Sequence, residues 1–111
     1  MRKTLNLMKK TPDIEVAKKM INLQQSATSR GLEFDLSFET VKSLMMRTHC
    51  YYTSVVFEED GKLAFSVDRL DSKKGYIEGN VQWVHKDINF MKQEYDQQYF
   101  IEICKKIAEN N

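Results

Sequence analysis

The chain has 111 residues, 41% of them hydrophobic and 30% charged, with a formal net charge of +1. That suits one globular domain with a modest core, and excludes a fibre, a disordered tail or a uniformly polybasic nucleic-acid binder. No apolar run reaches membrane-spanning length and Met1-Arg2-Lys3 is followed by no hydrophobic signal segment, so no membrane association and a cytoplasmic location are expected. Cys50 and Cys104 lie far apart without a CxxC, which fits a reducing compartment better than a disulfide.

Charge is unevenly spread. Residues 1–30 carry seven Lys/Arg against two Asp/Glu, and residues 31–60 carry two against six. A basic N-terminal helical segment facing a polyanion is one reading, with Lys9, Lys10, Lys18 and Lys19 as its contacts; a solvated helix face is the other.

Thr11-Pro12-Asp13 reads as a helix start, with a capping hydroxyl, proline at the first helical position and an acid at the positive end. Ile14, Ala17, Ile21 and Leu23/Ala27 supply a roughly helical apolar set, and Gly31 a C-terminal cap. Ser37 caps a second predicted helix through about Arg47, with Phe38, Val41, Leu44 and Met45 inward. The β-branched and aromatic "CYYTSVVF" predicts extended or hairpin-like chain, and Glu58 to Gly61 a turn. "KLAFSVDRL" and "IEGNVQWV" read as two strands joined by "DSKKGY", with Lys74-Gly75 at the positive-φ position. A short helix should span about Lys86 to Glu94. Asp96 caps a last one, over 96–110, with an apolar stripe of Tyr99, Phe100, Ile103 and Ile107. The fold class is α+β, with the hairpin and the helix after it at its centre.

That order concentrates chemistry. Asp68 and Asn80 lie 12 residues apart around the turn and so can approach each other, and the following helix can bring Asn89 to the same surface. A carboxylate and an amide oxygen are hard donors that suit Mg²⁺ or Mn²⁺, which take few protein ligands plus water and phosphate oxygens. A phosphodiester is the matching substrate. Zinc is disfavoured, because His49, Cys50, His85 and Cys104 lack paired short spacing.

"SVDRLDSKKGYIEGNVQWV…INFMK" resembles the HNH, or ββα-metal (His-Me finger), endonucleases, and most nearly a phage-type variant with the pattern D-R-I-D-S…G-Y…G-N-V…N…K. The similarity extends upstream through "RGLEFDLSFETVKSLM" and "CYYTS", over about residues 25–107. The resemblance implies a single HNH-like domain over 1–111, with a basic helical segment at 1–30, a ββα-metal core at 48–94 and a C-terminal helix at 96–110. It implies Asp68 as first metal ligand, Asn80 as the residue that holds the hairpin loop and orients the site, and Asn89 as the second metal ligand. Arg69 stands where the best-known members have the catalytic His.

Arginine stays protonated and cannot take a proton from water; it can clamp phosphate. A general base is then sought at His49, ahead of His85 and of Tyr51, Tyr52 and Tyr76. Strand alternation points His85 away from Asn80. Lys73, Lys74, Lys86 and Lys92 surround the site as expected phosphate contacts, with solubility as their alternative role. Trp83, Phe90 and Met20, Met45, Met46 and Met91 are expected to pack, and Cys104 to be a small buried hydrophobe. The implied function is a DNA endonuclease of phage or mobile-element type, working in the host cytoplasm. The alternative is the same fold with impaired chemistry, kept to bind nucleic acid or a protein partner. A homodimer is open, since so small a chain has little surface for reading a long site.

Overall fold

The computed structural model describes residues 12–111. Thr11 and the lysines at 9 and 10 lie outside the described residues. Helix α1 (Asp13–Arg30) starts one residue later than expected: Pro12 is its N-cap, and the Pro12 carbonyl accepts from the Glu15 and Val16 amides at 3.0 and 3.2 Å. Its C-cap is Gly31, left-handed at φ 67°. The buried stripe is Val16, Leu23 and Ala27 with Met20 beside them, while Ile14 and Ile21 are exposed. Both stripes have helical spacing, so periodicity alone does not choose between them. The choice is made by packing, because α1 lies against α2 and β1.

A two-residue strand β1 (Phe34–Asp35) leads to α2 (Phe38–Met45), whose Ser37 cap accepts from the Thr40 amide at 3.0 Å. Val41 and Leu44 enter the core, as the pattern predicts. "CYYTSVVF" forms a tight turn closed by one antiparallel bridge, His49↔Val56. A 3₁₀ turn at Gly61–Leu63 then precedes β2 (Phe65–Arg69).

The predicted hairpin is present but its loop is longer. After β2 the chain makes β3 (Tyr76–Ile77), which pairs parallel with β1, before β4 (Val81–His85) returns antiparallel to β2. Register sets Asp68 opposite Gln82 and Arg69 opposite Val81. The left-handed position of the loop falls on Gly79, φ 82°, and not on Gly75. Gly75 is required for a different reason: a Cβ there would lie 2.2 Å from the Glu33 carbonyl oxygen.

Helix α3 (Lys86–Lys92) follows β4 directly and packs on β2, β4 and the 3₁₀ turn. It ends at Gln93, held at φ 54°. Asp96 caps α4 (Gln97–Glu109) by accepting from the Tyr99 amide at 2.9 Å. The core joins Val16, Val41, Phe57, Trp83 and Val84, with Phe65 stacked on Trp83 at 4.7 Å between ring centres. Several packing expectations fail at the C-terminal end. Phe90, Met91, Tyr99 and Ile107 are exposed, as is Met46. Cys104 is exposed too, while Cys50 is buried, and both are free thiols. No residue of α4 is fully buried; its inward contact is Phe100, half-buried and edge-on to Tyr52 at 5.8 Å between ring centres. Among the described residues, no helix is long and apolar enough to cross a membrane.

Candidate active site

The hairpin and the helix after it place Asp68, Arg69 and Asn89 along one open cleft of about 990 Å³. Arg30, from the end of α1, and Lys86, from the start of α3, line the same cleft.

Asp68 forms the floor, 3% exposed. Its Oδ1 accepts from Lys92 Nζ at 3.1 Å and its Oδ2 from the Tyr52 hydroxyl at 3.3 Å. Burial raises its pKa above the ordinary carboxylate value, opposed by Lys92, Tyr52 and Arg69. Burial, reinforced by the Asp68 carboxylate, holds the Tyr52 phenol far above its usual range. Tyr52 is therefore a donor to Asp68, which argues against it as a base.

Lys92, expected to meet phosphate, is instead 0% exposed. Besides Asp68, it donates to the Arg69 carbonyl at 2.9 Å. Asn89 sits one turn earlier on α3, and its Nδ2 donates to Ser66 Oγ at 2.9 Å and to the Val67 carbonyl at 3.2 Å. Both bonds use the nitrogen, which fixes the amide and leaves its oxygen for a ligand.

Asn80 is 6% exposed and ties the loop. Its Oδ1 accepts from the Asp71 amide at 2.9 Å, and its Nδ2 donates to the Asp71 and Gly75 carbonyls at 3.1 and 2.9 Å. Arg69 staples the same loop, since Nη1 donates to the Ser72 and Lys74 carbonyls at 2.6 and 2.9 Å. Its guanidinium lies over the Tyr76 ring, 5.7 Å from the centroid. Tyr76 is buried, within 3.2 Å of Ser26 Oγ of α1.

The histidines are elsewhere. His49 is exposed, with Nδ1 at 2.8 Å from Thr48 Oγ1, and does not line the cleft. It forms the antiparallel bridge with Val56 across its turn, and its absence from the cleft lining gives no support to choosing it as a base. His85 is buried, with Nε2 at 3.3 Å from the Val56 carbonyl oxygen and its ring edge-on to Phe57. Lys73 and Lys74 are exposed on the loop, and Lys86 is exposed at the cleft. Of the α1 lysines, Lys18 lies 3.6 Å from Glu15 and Lys19 covers the Trp83 ring at 5.4 Å. Burial first, and Lys86 second, lower the Lys19 pKa.

Arg30, Ser66 and the buried role of Lys92 were not found by reading the sequence. Only Lys92 left a signal: it lies three residues after Asn89 on a short helix, so it shares the face that looks into the site.

The Asp68 carboxylate and the Asn89 oxygen line the cleft and could hold a divalent cation. Among the described residues no three His, Cys, Asp or Glu side chains converge, so an ion would rest on the Asp68 carboxylate, the Asn89 oxygen and oxygens from outside the protein. That is a magnesium- or manganese-type set and not a zinc set.

No protein-family model matches the chain. An uncharacterized 29.0 kDa protein from the dda–modA intergenic region of Enterobacteria phage T4 is 32% identical over 91 residues, 79% of this chain. The match spans 36% of that phage protein, so the chain corresponds to about a third of it. Among solved structures, the rare-cutting HNH restriction endonuclease PacI superposes with a TM-score of 0.64 over 86% of this chain and 78% of its own, at 18% identity. The chain thus has the α+β fold of an HNH endonuclease.

Proposed function

We propose that this chain is a metal-dependent endonuclease that hydrolyses DNA phosphodiester bonds, of the phage or mobile-element type. The observation that carries the reading is the convergence of Asp68, Arg69 and Asn89, from the hairpin and the next helix, on one cleft that Arg30 and Lys86 make basic. The HNH fold and the phage relative support it.

In this reading Asp68 and Asn89 hold Mg²⁺ or Mn²⁺, which when bound would stabilise charge on the phosphoryl group and the leaving oxygen. Arg69 turns the N–H groups that the loop does not use toward the scissile phosphate. Arg30 and Lys86 fix the neighbouring backbone, and exposed Lys73 and Lys74 extend that contact without reading sequence. Asn80 keeps the loop closed behind Arg69. Neither of the chain's histidines lines the cleft, so the attacking water loses its proton to solvent or to the phosphate itself.

That same absence favours a second reading, a module that binds DNA or a protein partner without cutting. Plasmid nicking with Mg²⁺, Mn²⁺ or chelator separates the two. Wild type should cut only with metal, and Asp68→Asn and Asn89→Ala should each lose about 100-fold or more. Equal rates in those variants would end the site assignment, and an inert wild type that still retains DNA would leave the binding module.

A further inference from the structure

Lys92 poses a problem that the nuclease reading does not use. An ammonium completely removed from water lies against the one carboxylate proposed to hold a cation, 3.1 Å from Oδ1, with a second bond to the Arg69 carbonyl. A buried lysine is unusual without a partner, and here the partner is itself the proposed ligand. We infer that Lys92 is a positioning residue that neutralises Asp68, so that the site accepts its divalent cation only together with a phosphodiester.

The inference rests on the proposed function and follows from counting charges around the cleft. Asp68 and Glu94 bring two negative charges; Arg30, Arg69, Lys86 and the buried Lys92 bring four positive ones. Asn89 adds an oxygen but no charge. A cation entering alone meets a neutralised carboxylate inside a net positive lining. A DNA phosphate entering alone meets attraction. Once the phosphate is in place, its oxygens supply both the missing charge and the missing donors, and the cation can follow.

Lys92 also decides how Asp68 presents itself. It occupies one lone-pair direction of Oδ1 while Tyr52 occupies one of Oδ2, so the carboxylate cannot rotate and each oxygen keeps one free direction. Metal and DNA should then bind with positive coupling, and by linkage each raises the affinity for the other by the same factor.

The test measures Mn²⁺ binding to the intact protein, by the paramagnetic signal of free Mn²⁺, with and without a short phosphorothioate duplex. Wild type should bind Mn²⁺ weakly alone and about tenfold or more tightly with the duplex. Lys92→Met should bind Mn²⁺ alone about tenfold or more tightly than wild type, and the duplex should help it less. A merely structural lysine would weaken metal binding when removed, so the direction of the change discriminates. Lys92→Gln provides a neutral variant that keeps a donor, should the methionine form fail to fold. A duplex that leaves wild-type Mn²⁺ affinity unchanged overturns the inference without any variant, as does a folded Lys92→Gln or Lys92→Met that binds no tighter than wild type. Asp68→Asn keeps the two failures apart. If it binds Mn²⁺ like wild type, the metal site itself is misassigned; if it loses Mn²⁺ while the Lys92 variants are unchanged, only the role of Lys92 falls.

Discussion

Replacing Asn80 by alanine should cost the fold about 2–4 kcal/mol, because the side chain makes three hydrogen bonds worth about 1 kcal/mol each and its removal orphans the Gly75 carbonyl, which is buried. Against a total stability of roughly 5–15 kcal/mol for a small domain, that is a large fraction. The loss should fall on loop 70–80, where the Asp71 amide and the Asp71 and Gly75 carbonyls are released together. Asn80→Asp should do no better, since it keeps the Oδ1 acceptor but turns a carboxylate oxygen toward two carbonyls. Equilibrium urea unfolding measures the change. A double-mutant cycle with Arg69→Ala adds a sharper reading, because Arg69 holds Ser72 and Lys74 of the same loop. Once one tie is cut the other should be worth less, with a coupling beyond about 0.5 kcal/mol. An Asn80→Ala variant within about 0.5 kcal/mol of wild type, or strict additivity with Arg69→Ala, would refute the loop-tie argument.

Gly75→Ala places a methyl 2.2 Å from the Glu33 carbonyl oxygen and should destabilise by about 3 kcal/mol or more, read by thermal unfolding; an unshifted midpoint would mean that β1 and β3 can separate freely. Arg69→His should lose the loop staple along with the proposed phosphate clamp, and so be less stable and less active than Arg69→Lys, as compared by urea unfolding and plasmid nicking. Because burial holds the Asp68 pKa above 3.8, the folded chain keeps that proton longer than the unfolded one. Its contribution to stability is therefore present below about 3.8 and lost as pH rises through the elevated folded value, and Asp68→Asn should remove that slope from urea titrations across the acid range.

The sequence revealed local features well and tertiary neighbours poorly. Ser37 and Asp96 cap helices as read, because a cap depends on residues three apart. The hairpin and α3 were also legible, since each is fixed within about a dozen residues, while Asn80's tie to the loop was implied by the family resemblance. The exposed half of the expected α1 stripe, Ile14 and Ile21, and the exposed Tyr99 and Ile107 of α4 share another origin. Helical periodicity reports that a face is apolar, and only the opposing layer decides whether that face is covered. Gly75 shows the same limit: glycine at a turn suggests left-handed backbone, yet the actual constraint is the Glu33 backbone passing beside it, 42 positions away in the chain. Asp68 and Asn89, singled out by their types and spacing, do line one cleft. The charge that faces Asp68 was not legible, because a lysine near a phosphate site and a lysine beneath it look identical in sequence.

Arg69 explains why this site cannot be understood by setting a histidine in its place. Its fork carries five N–H donors in fixed directions. One nitrogen serves two loop carbonyls, and the remaining donors are left for the cleft while the plane rests on Tyr76. An imidazole has too few donors and too short a reach to span Ser72 and Lys74. The guanidinium thus joins the loop to the site, and it does so at the cost of a proton acceptor. The groups that hold Asp68 do not restore one, since Asp68 is paired with Lys92 and Tyr52 gives its hydrogen to Asp68, which leaves Glu94 as the other carboxylate lining the cleft. What the geometry supplies instead is a fixed pair of oxygen donors, a neutralised floor and a rim of cations. Under the proposed function those features would hold a phosphodiester and stabilise charge on it, and selectivity would then come from how the DNA backbone fits against Arg30, Arg69 and Lys86.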